Sequence, residues 1–461
     1  MNLPNHTTQA LWVVTTEDAS WVESSLEVMP IAEVPDVFVQ LDKPKQVIEG
    51  FGGSFNELGW ASLAKLSEAD RAAVMRDFFE PGAGLNLNLC RMPVGANDFS
   101  RDWYSYDETE GDFTLQSFSI ANDLETLVPF IMAAKEHQPN LKLWASPWSP
   151  PTWMKHNKHY AGAQPHPWMN QEENGLRVDQ VGAEGTDMFI TDEAHLSAYA
   201  KYFGKFIDAY RELGIEIGMV MPQNEFNSAQ VFPSCTWTPE GLAKFVTHLG
   251  PEMKQRGVEV FLGTLERGDE SMFEKVLADE TAGPFIGGLG AQWAGKFAVD
   301  AVHRAHPELR IYQTEQECGD GLNDWRYARY AWGLMKKFFG AGANAYMYWN
   351  MSLLEGGRSR WGWHQNSLVV VDEAEGSFRF SHEYYLLKHV SNLVSVGARY
   401  VPTMSYTGFE NQIAFQNPDG SIVIVMQNDL QVPVTVKLML GERMLKPTLP
   451  ADSFSTFVIP A

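Results

Sequence analysis

From Gln46 to about residue 394, short apolar runs alternate with longer stretches whose apolar residues recur at three- and four-residue spacing. Runs of the first kind predict buried strands and stretches of the second kind predict amphipathic helices. Their alternation is the βαβα pattern of a parallel sheet. The apolar runs end at Gly52, Pro93, Ser146, Gln223, Gly263, Gln292, Gln313 and Tyr348. The periodic stretches cover 67–79, 121–137, 194–213, 239–256, 271–279, 295–305, 324–340 and 382–394. Eight of each predict a closed (β/α)8 barrel rather than an open sheet. Local signals agree: Ser67 precedes Glu68 and Asp70, and Thr238-Pro239-Glu240 supplies a cap, a first-turn proline and an acid at the positive end of the helix dipole.

The two ends of the chain read differently. Residues 10–41 are rich in Val, Thr, Trp and Phe with partial alternation, and no helical period appears there. After about residue 395 the runs Gln412–Phe415, Ser421–Met426 and Val432–Leu438 again read as strands, separated by turn signals such as Asn417-Pro-Asp-Gly420. A few N-terminal strands are marginal in water by themselves. Both ends are therefore expected to build one β-sandwich, with residues 1–44 and 395–461 flanking a barrel over 45–394.

Composition narrows the partners. Acidic residues number 58 against 35 basic ones, a formal net charge of −23, which repels nucleic-acid phosphates and anionic lipid headgroups. A neutral or cationic small molecule suits this surface better, and the sequence carries no signal of oligomeric state. Cys90, Cys235 and Cys318 are too few and too scattered for a disulfide framework or a zinc knuckle. The start, Met1–His6, has no basic segment leading into an apolar run, and no stretch is long and apolar enough for stable membrane insertion. The expectation is a cytoplasmic protein if the N-terminus is native, and a secreted one if a signal peptide has been removed.

In a barrel of this kind the working residues lie where strands end on the C-terminal face. The fourth run, Ile217–Glu225, and the seventh, Ile311–Glu315, each deliver a glutamate there. Two carboxyl groups facing one another across a small barrel are the equipment of a retaining glycosidase: one protonated to donate to the leaving oxygen, the other ionised to attack the anomeric carbon. Neither role needs a cofactor, and no Gly-rich loop has dinucleotide spacing. His156, His159 and His166 share a loop after the third run but lack tightly spaced carboxylate or cysteine companions, so no metal is expected.

The segments at successive strand ends are Glu49-Gly-Phe-Gly-Gly-Ser54, Arg91-Met-Pro-Val-Gly-Ala-Asn-Asp98-Phe-Ser100, Ala145-Ser-Pro-Trp-Ser-Pro-Pro-Thr-Trp-Met-Lys155, Gln223-Asn-Glu225, Thr314-Glu315 and Tyr348-Trp-Asn350. In this order they resemble glycoside hydrolase family 30, which includes the glucosylceramidases, over nearly the whole chain. The resemblance implies a retaining β-glycosidase on a barrel with a sandwich made from both chain ends. It further implies Glu225 as acid/base and Glu315 as nucleophile. Asn224 would bond the sugar 2-hydroxyl, Arg91 would support the nucleophile, Asp98 and Trp148 would hold outer hydroxyls, and Trp349 would pack on the ring.

The match is incomplete in two places. Thr314-Glu-Gln-Glu-Cys-Gly319 carries a second acid, Glu317, which an extended chain would turn to the same side as Glu315. Where the glucosylceramidase-like pattern has His-Trp-Tyr, this chain has Gln292-Trp293-Ala294, which alters the wall of the sugar site. Trp293 there, and Trp361 in the long Gly-rich and aromatic loop Leu354–Asn366, are expected to contact substrate. The favoured substrate is a β-linked glucosyl unit, in a glucosylceramide or a β-1,6-glucan, with β-xylosides as rivals. A catalytically inactive carbohydrate-binding barrel is the reading from another class, and the presence of both glutamates counts against it.

Overall fold

The computed structural model describes residues 8–167 and 171–461. The N-terminal residues 1–7, on which the reading of a targeting segment rests, lie outside them.

Eight parallel strands close into a barrel: Gly50–Ser54, Leu89–Pro93, Lys142–Ser146, Met219–Val220, Glu259–Leu265, Ile286–Ala291, Arg310–Gln313 and Ala345–Asn350. Each pairs with its neighbours in sequence, and the eighth closes on the first. Leu89, Trp144, Met219, Met221, Phe261, Tyr312, Ala345 and Met347 form a buried cluster contributed by six of the eight strands or the residue that follows one. The first strand must run close to its neighbour: a Cβ on Gly52 would lie 1.8 Å from the carbonyl oxygen of Leu89, which explains the Gly-Phe-Gly-Gly run.

Helices cover the outside, including Glu68–Phe79, Glu193–Glu212, Pro239–Arg256 and Trp325–Gly340. Both expected caps form, with Ser67 accepting from the Asp70 amide and Thr238 from the Gly241 amide. Some boundaries differ from the sequence reading. The stretch 121–137 is α-helical only from Leu127, and 295–305 divides into a 3-10 turn, Trp293–Phe297, and a helix, Val299–Ala305. A short helix, Glu57–Leu63, and a small sheet of Ser352–Leu354, Val369–Asp372 and Ser377–Phe380 were not legible from periodicity.

The sandwich draws on both chain ends. Gln9–Thr16 lies between Val22–Glu27 and Ser453–Ile459 in a six-stranded sheet, and Val37–Val39 lies between Thr403–Ser405 and Leu438–Leu440 in a five-stranded one. It is fastened to the barrel by His389 on helix His382–Ser391, whose two ring nitrogens each lie 2.8 Å from a buried hydroxyl, of Thr15 and of Thr456. Among the described residues no helix is long and apolar enough to cross a membrane.

Candidate active site

The fourth strand is the shortest of the barrel, because Pro222 has no N–H to continue the ladder. The chain then turns, and Glu225 sits at φ +46°, a left-handed conformation uncommon for a side-chain-bearing residue. Its amide donates to Thr264 Oγ1 at 2.9 Å, which fixes the turn to the end of the fifth strand. Trp293, after the sixth strand, has φ +47°. Strained backbone of this kind costs of order 1–3 kcal/mol per residue and persists where the surroundings over-determine it.

One side chain organises the centre. Nε2 of Gln292 lies 3.2 Å from Glu225 Oε1, 3.1 Å from Glu315 Oε2 and 3.2 Å from Asn224 Oδ1. The two bridged carboxylate oxygens can be no further apart than the sum of the first two distances, so one donor group spans the pair.

The two glutamates have unlike surroundings. Glu315 accepts from Arg91 Nη1 at 2.8 Å and from the Trp293 indole at 3.1 Å. Burial raises its pKa, and Arg91 and the Trp293 hydrogen bond oppose the rise. Glu225 receives only amides, from Gln292 and from Gln230 at 3.3 Å. Burial pushes its pKa well above the usual carboxylate range, and the charges of Glu266 and Glu315 push it further. These surroundings favour the protonated form at Glu225 more than at Glu315.

Arg91 is fully buried, with no exposure to a ligand. Its guanidinium donates to Glu315, to Ser146 Oγ at 2.9 Å and to Asn224 Oδ1 at 2.7 Å, and stacks on Trp148 with 4.3 Å to the ring centroid. Asn224 Oδ1 also accepts from Thr264, so its oxygen is fully engaged while Nδ2 makes no hydrogen bond among the described residues.

A cavity of about 370 Å³ opens over the carboxylates, lined by Asp98, Glu225, Gln230, Phe232, Glu266, Arg267, Trp293, Ala294, Lys296, Glu315, Trp363 and Gln365. The Asp98 carboxyl and the Trp349 indole N–H face one another there or close by, without the full geometry of a hydrogen bond. Burial, then the charge of Glu315, holds the Asp98 pKa well up.

Of the residues expected to touch substrate, Glu225, Glu315, Asp98 and Trp293 line this cavity. Arg91, Trp148 and Trp349 stand behind it, with Trp148 and Trp349 stacked at 5.2 Å. Trp361 is buried against Trp103, and the loop aromatic on the cavity wall is Trp363, because the two residues bracket the left-handed turn at Gly362. Glu317 does not line the cavity; it pairs with Lys296 at 2.5 Å and accepts from the Tyr330 hydroxyl.

Sequence reading missed Gln292 as a bridging residue and Glu266 as a third acid. Gln292 was legible as the strand-end residue of the sixth strand. Glu266 was hidden because the fifth strand continues to Leu265, two residues past the expected end at Gly263. Burial lifts its pKa to about 7. Among the described residues no group of three or more His, Cys, Asp or Glu side chains is arranged to hold a metal ion.

A closed parallel barrel with a buried, bridged carboxylate pair at its C-terminal face defines a glycoside hydrolase. Comparison with known proteins gives the family: residues 48–394 match the glycosyl hydrolase family 30 TIM-barrel domain and residues 397–457 its β-sandwich domain, so the chain belongs to that family of retaining β-glycoside hydrolases. It is 27% identical over 431 residues to the lysosomal acid glucosylceramidase of Mus musculus, covering 86% of this chain and 78% of that one. It is 26% identical over 443 residues to endo-1,6-β-D-glucanase neg1 of Aspergillus fumigatus, covering 90% and 86%. The crystal structure of SrfJ from Salmonella typhimurium shares the fold, with TM-score 0.87, 24% identity, and coverage of 98% of this chain and 100% of that one.

Proposed function

We propose that the protein hydrolyses β-linked glucosyl units with Glu225 as acid/base and Glu315 as nucleophile. The observation that carries this reading is the Gln292 amide reaching both carboxylates at 3.1–3.2 Å. In the first step Glu225 gives its proton to the glycosidic oxygen, the bond from that oxygen to the anomeric carbon breaks, and a Glu315 oxygen bonds to that carbon. In the second step the Glu225 carboxylate takes a proton from water, the water oxygen attacks the anomeric carbon, and Glu315 leaves as a carboxylate.

The remaining residues support these steps. Asn224 Nδ2 is the donor left for the sugar 2-hydroxyl, since its oxygen is held by Arg91, Thr264 and Gln292. The Asp98 carboxyl and the Trp349 indole, which face one another without a fully formed hydrogen bond, are the groups that outer hydroxyls would engage. Arg91 acts on substrate through Glu315 and Asn224 rather than by contact.

Besides the aromatic residues Phe232, Trp293 and Trp363, the cavity wall carries the charged groups Glu266, Arg267 and Lys296. Charged groups suit a hydroxyl-rich leaving portion better than alkyl chains, which favours a glucan-like substrate over a glucosylated lipid. The testing experiment is a panel of aryl β-glucosides, β-xylosides and β-galactosides, followed by β-1,6-linked glucose oligosaccharides and by glucosylceramide in detergent. Preference for the glucoside and then for the oligosaccharide is expected. Exclusive turnover of the xyloside would overturn the glucosyl reading, and turnover of glucosylceramide with none of the oligosaccharide would overturn the glucan preference.

A further inference from the structure

A second recess, of about 390 Å³, adjoins the cavity at Trp293 and is lined by Trp293, Glu317, Gly319, Arg326, Tyr327 and Tyr330. It shares the wall of the catalytic cavity: the half-buried Trp293 lines both, and Lys296, on the cavity, is paired with Glu317, on the recess. Both volumes fall in the range of small-molecule sites, about 300–1,000 Å³. Aromatic rings stand beside fixed polar groups here. Tyr330 is exposed, and its hydroxyl is held by Glu317, which Lys296 holds in turn. The Arg326 guanidinium lies 4.7 Å over the Tyr327 ring and is paired with Asp320 and Asp324.

The geometry points to a subsite for a sugar ring in the leaving portion of the substrate, with Glu317 as acceptor for its hydroxyls. The C–H face of a sugar packs on an aromatic ring, while its hydroxyls bond to charge-bearing groups at the rim. Asp98, which the glucosidase reading assigns to the transferred sugar, does not line the recess, whereas Trp293 lines it and Lys296, on the cavity, is paired with its Glu317; on that reading the recess takes the leaving portion. The second acid of Thr314-Glu-Gln-Glu-Cys-Gly319 thereby acquires a binding role distinct from that of Glu315. The substrate is then an oligosaccharide rather than a glucoside of a small or lipid alcohol. This inference rests on the glucosidase reading above.

The test compares kcat/KM for β-1,6-linked glucose di-, tri- and tetrasaccharides with that for an aryl β-glucoside, in the wild-type protein and in Glu317→Gln, Tyr330→Phe and Tyr327→Ala. The wild type is expected to gain as units are added to the leaving side. In each variant the ratio of oligosaccharide to aryl glucoside kcat/KM is expected to fall about tenfold, the scale of one lost hydrogen bond to a charged group for Glu317→Gln and Tyr330→Phe and of one lost ring contact for Tyr327→Ala. The effect should sit in that ratio and not in the thermal midpoint of Tyr330→Phe, which removes one oxygen. Equal rates on all chain lengths, or an unchanged ratio in all three variants, would overturn the subsite. Absence of wild-type activity on every glucoside would instead overturn the reading on which it rests.

Discussion

Arg91 Nη1 stands 2.8 Å from Glu315 Oε2 in an ion pair whose side chains are 0% and 6% exposed. The same guanidinium reaches Asn224 and Ser146, so its planar fork fixes three groups at once. Arg91→Lys keeps the charge but loses the fork. Its kcat is expected to fall about 100-fold through misplacement of Glu315 and Asn224. Arg91→Ala leaves Glu315 buried and unpaired, and denaturant unfolding should show a loss of about 3–5 kcal/mol.

Gln292 has two amide hydrogens and three acceptors in reach. In the proposed first step negative charge leaves Glu315 and appears on Glu225, and a donor within reach of both can follow it. Gln292→Glu preserves shape but replaces the donor with an acceptor. A fall in kcat of about 10²–10³ is expected, with unchanged circular dichroism. A substrate with a good leaving group should not fully restore the rate, since Glu315 loses one of its three donors as well; full restoration would confine Gln292 to the acid step.

Glu266 lines the cavity with Glu225, and burial has lifted its pKa to about 7. Above that value its charge acts to keep the Glu225 proton in place, since like charges disfavour ionisation. Glu266→Gln removes this effect and lowers the Glu225 pKa. The alkaline limb of the kcat/KM profile should move to lower pH, and a limb that stays in place would show that Glu266 does not act on Glu225.

His389 ties the barrel to the sandwich as a neutral ring, its pKa lowered by burial from 6.5 to about 3. The folded-state pKa lies below the unfolded one, so this stability is complete above pH 6.5 and is lost as pH falls toward 3. Over that window it contributes a loss of about 1.4 kcal/mol per pH unit. His389→Asn, measured by urea unfolding from pH 7 to 4, should be less stable at pH 7 and show a shallower acid slope.

Much of the fold was legible because barrel strands and helices carry different periods and sandwich strands carry turn signals between them. Thr238 and Ser67 even marked helix starts to the residue. Tertiary detail was less legible. Glu315 follows directly from its strand, but the inward aim of Glu225 depends on a left-handed turn and a bond to Thr264, residues 39 positions apart. Whether Trp361 or Trp363 faces the cavity is decided by one turn at Gly362, which no periodicity encodes. Gln292 was read as a change in the sugar wall, because a single residue's reach to three acceptors depends on how three strands converge.

The assignment of the two glutamates is tested most directly by the products formed in azide. Loss of the nucleophile prevents the covalent intermediate, and azide entering the vacated space attacks the anomeric carbon directly, giving an α-glycosyl azide from a β-glycoside. Loss of the acid/base leaves the intermediate to form from an activated aryl glucoside, and azide then releases it as the β-azide. Proton NMR of the products should show the α-azide from Glu315→Ala, the β-azide from Glu225→Ala, and neither in quantity from Glu317→Ala, whose covalent route is intact. An α-azide from Glu317→Ala, with Glu315→Ala still turning over with retention, would contradict the account and move the nucleophile two residues along the chain.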